Sequence, residues 1–213
     1  MSHRFAVVPL LLLLVAPWVM AGDKEDERAQ NAARVLAEIM AVPDKRVPSH
    51  LIEKAEAIAV IPDVVKAGLV IGGRHGRGLI SVRSPDGTWS NPSFISITGG
   101  SIGFQAGVQS TDVVLVFRSK RGVDQIVNGK FTLGADAAVA AGPVGRNAQA
   151  STDAQLKAEI YSYSRSRGLF AGVALDGSVL SIDHDSNQST YGRNITPRRI
   201  VEGVKIIEQD KFT

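Results

Sequence analysis

Gly99 to Gln109 reads GGSIGFQAGVQ. Counted in twos, Ile102, Phe104, Ala106 and Val108 share one side, while Gly99, Ser101, Gly103, Gln105, Gly107 and Gln109 share the other. Alternation with a period of two marks a half-buried strand, so the spacing predicts one strand through this stretch. A strand nearly bare of side chains on one face has something lying close against that face. A packed helix, a neighbouring backbone and a ligand are the three candidates.

On either side, short segments rich in Val, Ile and Phe occur at 57–61, 68–71, 78–83, 94–98, 102–109 and 113–118, with turn residues between them. Strand character returns at 159–165 and 169–175. Ser84-Pro85-Asp86-Gly87 is a turn signal. Asp176-Gly177 is a hairpin signal between 173–175 and 179–182. Many short strands at short intervals predict an antiparallel β architecture. Residues 131–141 are rich in small side chains and fit a buried strand or a helix; periodicity does not choose. Residues 142–151 read as a loop.

Helices bracket this region. Residues 23–40 carry acids in the first turn, which suits the positive end of a helix dipole. Ala29, Ala32, Ala33, Leu36, Ile39 and Met40 form an apolar stripe at helical spacing, and Pro43 ends it. This helix is expected to dock on the domain. Ser49 is a candidate cap for a short second helix. Residues 121–128 fit a helix closed by Gly129. Thr196 and Pro197 open a last helix, with Ile200, Val204 and Ile207 on one face. The expectation is one α+β domain, mainly antiparallel sheet bent into a sandwich or partial barrel, with helices at both chain ends.

Arg4 is followed by an apolar run over 5–19, and Val19 and Ala21 occupy the small-residue positions of a cleavage site. This predicts a secretory signal over 1–21. The run is shorter than the ~20 apolar residues of a membrane span; an uncleaved anchor is the other reading. Residues 22–213 then form a single domain. The chain has no Cys, which excludes disulfides, thiol catalysis, thiolate zinc sites and iron–sulfur clusters. The formal net charge is +3. A balance that small argues against an electrostatic nucleic-acid binder yet permits local basic patches.

Gly72-Gly73-Arg74-His75-Gly76-Arg77-Gly78 is the best anion-binding candidate. Consecutive glycines let backbone N–H groups point at a phosphate, and Arg74 and Arg77 would clamp its oxygens. The stretch lacks the Lys-Ser/Thr ending of a nucleotide loop. A hairpin loop with solvated arginines is the competing reading. Lys120 with Arg121, Arg165 with Arg167, and Arg198 with Arg199 are further basic pairs. Beside an anionic membrane each cation contributes on the order of 1 kcal/mol. Glycine in a strand interior costs roughly 0.5–1 kcal/mol relative to Ala. Gly99, Gly103, Gly107, Gly168 and Gly172 therefore mark either sharp coiling or a shallow groove for an acyl chain or a helix.

Asp183, Asp185 and Asn187 have the opening spacing of a calcium loop. Gln188 stands where that loop needs Gly, and Asn194 where it needs a bidentate Glu. A polar turn after a strand is the expectation, with no metal site. His75 and His184 accompany no G-x-S-x-G elbow, and no acid pair stands out. The expectation is no catalytic residue, no cofactor and no enzyme. Trp89 is expected in the core, and Tyr161, Tyr163 and Phe170 in sheet packing.

These residues also carry a resemblance. Ala57-Ile58-Ala59-Val60-Ile61-Pro62, the Gly72–Gly78 stretch, Trp89-Ser90-x-Pro92, Gly99–Gln109, Leu133-Gly134-Ala135-Asp136-Ala137 with Ala141-Gly142-Pro143, Tyr161-Ser162-Tyr163-Ser164 and Gly168-Leu169-Phe170-Ala171-Gly172 occur in the order found in SYLF domains. The chain resembles that family from about Val47 to Tyr191. The resemblance implies non-catalytic lipid binding. Eukaryotic SYLF proteins bind phosphoinositide membranes and some bind actin; bacterial relatives are exported or envelope proteins. With the signal segment, it implies a periplasmic or exported bacterial protein, peripheral to a membrane and recognising anionic phospholipid. An envelope protein partner is compatible with this setting, and actin is not expected there. The expected headgroup residues are Gly72, Gly73, Arg74, Gly76, Arg77, Lys120, Arg121, Arg165 and Arg167. The alternative is an envelope structural or protein-interaction module without a lipid site.

Overall fold

The computed structural model describes residues 22–41, 47–68, 71–102, 107–144, 158–166 and 169–203. The signal segment at 1–21, Val204 and Ile207, and the candidates Gly103, Arg167 and Gly168 lie outside the described residues. In chain order the elements are α1 (Gly22–Ala41), α2 (Ser49–Glu53), β1 (Ala57–Gly68), β2 (Ile71–Val82), β3 (Ser93–Ile102), β4 (Gly107–Phe117), α3 (Lys120–Val127), β5 (Lys130–Thr132), β6 (Val139–Ala141), β7 (Ile160–Ser166), β8 (Leu169–Gly172), β9 (Val179–Ile182), α4 (His184–Tyr191) and α5 (Pro197–Val201).

The nine strands form one sheet in the order β5-β9-β3-β2-β1-β4-β7-β6, with β8 also paired to β7. Every pairing is antiparallel except β6 with β7. β5 and β6 stand at opposite ends of that order, yet only residues 133–138 separate them in sequence. So short a link requires the sheet to curl, and the result is a half-barrel.

Period-two alternation sorts the strand residues onto two faces. The inner, concave face buries Ala57, Ala59, Ile61, Ile80, Ile95, Ile97, Val113, Leu115 and Phe117 against Val123 and Ile126 of α3, Phe131, Leu133 and Leu180. The outer face buries Ile58, Val60, Leu79, Phe94, Val114 and Val116 beneath Ala32, Val35 and Ile39 of α1 and Leu51 of α2. The apolar stripe of α1 is thus the lid of the outer core. Burying Val35 and Ile39 contributes about 1.5–3 kcal/mol each.

Several local expectations are corrected. Gly99–Gln109 is not one strand: β3 ends at Ile102 and β4 starts at Gly107. Gly72–Gly78 is not a loop but the middle of β2, paired on both sides. Residues 131–141 are neither one helix nor one strand; two three-residue strands flank a turn held by the Leu133–Ala137 bridge. The Asp176-Gly177 turn does not join a hairpin, because β9 pairs with β3 and β5. The polar stretch after β9 is α4, and the Asp183 side chain caps it by accepting from Ser186 N. Ser49 makes no capping bond. Trp89 is 40% exposed, with the Arg83 guanidinium 4.6 Å from its ring centroid. Tyr163 is fully buried and stacks on Phe170, as sheet packing requires.

Candidate functional site

β1 and β2 project past the two cores. Val60 is the last outer-core residue on β1, and beyond Val64 the strand becomes exposed or half-exposed. The register slips between Ile61 and Val64, where Asp63 takes a left-handed φ of 48°. Its N–H donates to Asp112 Oδ1 at 3.0 Å. A β-bulge of this kind bends the strand and raises its twist. Gly76 and Gly78 of β2 are needed opposite it. A Cβ on Gly78 would stand 2.2 Å from the Val60 carbonyl oxygen and 2.6 Å from Ile61 Cα. A Cβ on Gly76 would stand 2.7 Å from Val64 Cγ2. These two glycines serve a close approach of backbones.

The strand positions place the basic candidates. Residues three apart on a strand point to opposite faces. Arg74 lies on the inner face and Arg77 on the outer, so they do not form the expected clamp. Arg74 is half-buried, and its Nη1 donates to Ser178 Oγ at 2.9 Å. Burial lowers its pKa from the ordinary guanidinium value. Arg77 is exposed beside α1, in a cavity of about 340 Å³ shared with Lys24, Arg28, His75, Glu27 and Asp63. No Ser lines it. Arg165, on the outer face, donates to Asp112 Oδ2 through Nε at 2.9 Å and Nη2 at 2.7 Å, and also pairs with Glu38 of α1. It therefore ties α1 to the sheet. Burial, with the neighbouring Asp63 carboxylate, raises the Asp112 pKa against the Asp63 N–H bond. Lys120 and Arg121 are exposed at the start of α3, beyond the far end of β4. At about 3.3 Å per residue, that end is roughly 25 Å from Gln109.

The glycine face is partly occupied by the chain itself. A Cβ on Gly99 would meet Ser178 Oγ at 2.9 Å and Ser178 Cα at 3.1 Å. One on Gly172 would meet the Gly142 carbonyl oxygen at 2.3 Å. Backbone packing explains those two positions. Gly73 and Gly100, paired with each other on the outer face, have nothing within 4 Å of a built Cβ. Gly72 is half-buried, and Gly107 pairs with Gly68.

What remains open is the end of the sheet where the paired strands β1 and β2, and β7 and β8, turn back, and where β3 ends and β4 begins. Among the described residues it carries Lys66, Arg74, Arg77 and Arg165; Arg165 is paired with Asp112 and Glu38, and Arg77 shares its cavity with Glu27 and Asp63, which leaves Lys66 and Arg74 without a carboxylate partner. Val108 is 74% exposed and Leu169 67% exposed here. A cavity of about 610 Å³ opens beside them, lined by Gln109, Ser110, Ser164, Ser166 and Ala171 as well as Val108 and Leu169. Sequence reading missed Lys66 because it is a lone cation. Its signal was the absence of carboxylates over residues 64–78. Among the described residues no group of three or more His, Cys, Asp or Glu converges on a metal position. No helix among them is long and apolar enough to cross a membrane.

The profile of the Ysc84 family, described as Las17-binding protein actin regulator, matches residues 98–210. SH3 domain-containing YSC84-like protein 1 of Rattus norvegicus is 38% identical over 181 residues, covering 82% of this chain and 53% of that protein. Protein YSC84 of Saccharomyces cerevisiae is 39% identical over 163 residues, covering 75% of this chain and 35% of that protein. SH3 domain-containing protein PJ696.02 of Schizosaccharomyces pombe is 43% identical over 160 residues, covering 74% of this chain and 37% of that protein. The chain spans about half the length, or less, of the curated relatives it matches. None of these names describes an enzyme. With the profile over more than half of the sequence and this identity across most of it, the chain belongs to the Ysc84, or SYLF, family.

Proposed function

We propose that this chain is a non-catalytic phospholipid-binding module of the bacterial envelope, recognising acidic headgroups through the hairpin end of its sheet. One observation carries the reading: that end sets Lys66 and Arg74, which make no ion pair among the described residues, beside exposed Val108 and Leu169. An acidic membrane attracts each cation near its surface by on the order of 1 kcal/mol, and salt weakens the attraction. Exposed apolar side chains rimmed by polar ones suit the headgroup boundary. The apolar run over 5–19 supports export, with cleavage after Ala21. N-terminal sequencing of the protein recovered from a periplasmic fraction checks that step.

Vesicle flotation tests the binding. Recovery is expected with vesicles containing acidic phospholipid, with little on neutral ones, and it declines as salt rises. Equal recovery on neutral and acidic vesicles overturns the reading. The family description supports a competing one, a protein-interaction module. Co-sedimentation of this chain with actin filaments separates the two, and none is expected.

A further inference from the structure

Four residues form one rung across the inner face. Gly99 of β3 is the register partner of Arg74 of β2. Arg74 is the partner of Lys66 of β1, and Lys66 of Gln109 of β4. Directly opposed antiparallel residues share a face, with Cβ atoms about 5 Å apart. Lys66 and Arg74 are therefore like charges held side by side. Such a pair is unfavourable in a sheet, and folded proteins ordinarily place an acid nearby. Among the described residues neither cation makes an ion pair with a carboxylate. Arg74 spends one donor on Ser178 Oγ and keeps the rest of its fork. Ser178 is buried and is seated there because Gly99 has no Cβ. Gln109 connects the rung to the cavity that runs past Ser164 and Ser166 to Leu169.

Two adjacent cations without a counter-charge match a dianion. We propose that Lys66 and Arg74 form a phosphate site that prefers a phosphomonoester over a phosphodiester. A monoester carries a charge of about −1.5 to −2 at neutral pH and three acceptor oxygens. A diester carries a single charge. The inference rests on the lipid-binding reading above and adds a defined site with a headgroup preference.

The experiment compares wild type, Lys66→Gln, Arg74→Gln and, as the control at the opposite end of β4, Lys120→Gln by flotation. Vesicles contain phosphatidic acid or phosphatidylglycerol, matched for surface charge. Circular dichroism melts establish that each variant is folded. The expected result is stronger binding to phosphatidic acid, at least a tenfold loss for Lys66→Gln and for Arg74→Gln, and less than a twofold loss for Lys120→Gln. Equal losses in all three variants, or no preference for phosphatidic acid, overturn the defined site and leave the surface reading standing. A second arm titrates inorganic phosphate into the protein without vesicles and follows the backbone amide signals of 66, 74 and 178. Shifts there without flotation on any acidic vesicle support the site for soluble phosphate and overturn the lipid reading. Flotation with the expected variant pattern and no such shifts assigns the site to a lipid headgroup. No shifts and no flotation overturn both.

Discussion

Asn187 offers the sharpest test of how the half-barrel is held together. β9 leaves the sheet at Ile182, while β3 continues back to Ser93. The backbone of Phe94 would lose its partners there. The Asn187 side chain replaces the missing strand: Oδ1 accepts from Phe94 N at 2.8 Å and Nδ2 donates to Phe94 O at 3.0 Å. Nδ2 also donates to Asp183 O at 2.9 Å. Asn187 and Phe94 are each 2% exposed, so water does not substitute. Both carbonyls keep a second partner, since Phe94 O also accepts from Asp183 N and Asp183 O from Asn187 N. Asn187→Ala orphans the Phe94 N–H and also removes the acceptor, at 3.4 Å, of the buried Ser93 hydroxyl, which is free to rotate. An orphaned buried donor costs about 1–3 kcal/mol, and the two lost amide donations add about 0.5–1.5 kcal/mol each at most. The expected destabilisation is about 3 kcal/mol, which for a chain of this size lowers Tm by roughly 6–12 °C.

Urea and thermal melts of Asn187→Ala measure this, with Gln188→Ala, exposed on the same helix, as the control. Asn187→Asp adds a sign test. Its carboxylate would be buried and would face two carbonyl oxygens, so its folded pKa is raised. The variant is then least destabilised in acid, where the carboxyl is protonated and donates, and it loses stability as pH rises through that raised value. A cost for Asn187→Ala no larger than that of the control would refute the reasoning.

Other variants test separate links. In Gly142→Ala the new Cβ would stand 2.1 Å from Tyr163 Cζ in a fully buried site. Overpacking of about 1–3 kcal/mol is expected, with a changed near-ultraviolet spectrum from the Tyr163–Phe170 stack. Gly73→Ala, with open space around it, is expected to change stability by under about 1 kcal/mol in urea melts. Arg165→Gln leaves Asp112 half-buried without its partner; a loss of about 1–2 kcal/mol is expected after allowing for solvent screening, smaller in the Asp112→Asn background, and a double-mutant cycle reads the coupling. Burial pushes Tyr191 up to about 12, and its hydroxyl donates to Pro92 O. Burial raises Tyr163 in the same sense. Each raised value means stability that is complete below the unfolded tyrosine pKa near 10 and lost as pH climbs beyond it, for Tyr191 through about 12. Alkaline melts should be flat to about pH 10 and fall beyond it, less steeply in Tyr191→Phe.

The sequence by itself determined the antiparallel α+β class, the bracketing helices and the capping of α5 by Thr196. Those features depend on local periodicity and on side chains bonding to backbone a few residues away. It did not reveal that 99–109 spans the end of β3 and the start of β4, two strands that are not neighbours in the sheet. Gly99 and Gly107 fall on the inner face of two different strands, and counting in twos runs straight through the connection. The glycines of 72–78 imitate a loop for a related reason. A turn and a close backbone approach both exclude Cβ, and only the bulged partner strand tells them apart. That same strand assignment sends Arg74 and Arg77 to opposite faces. Lys66, 8 residues before Arg74 in sequence, becomes its cross-strand partner only through pairing. Which cations meet, and whether an acid accompanies them, is settled by sheet register, because register is a long-range choice made by the whole core.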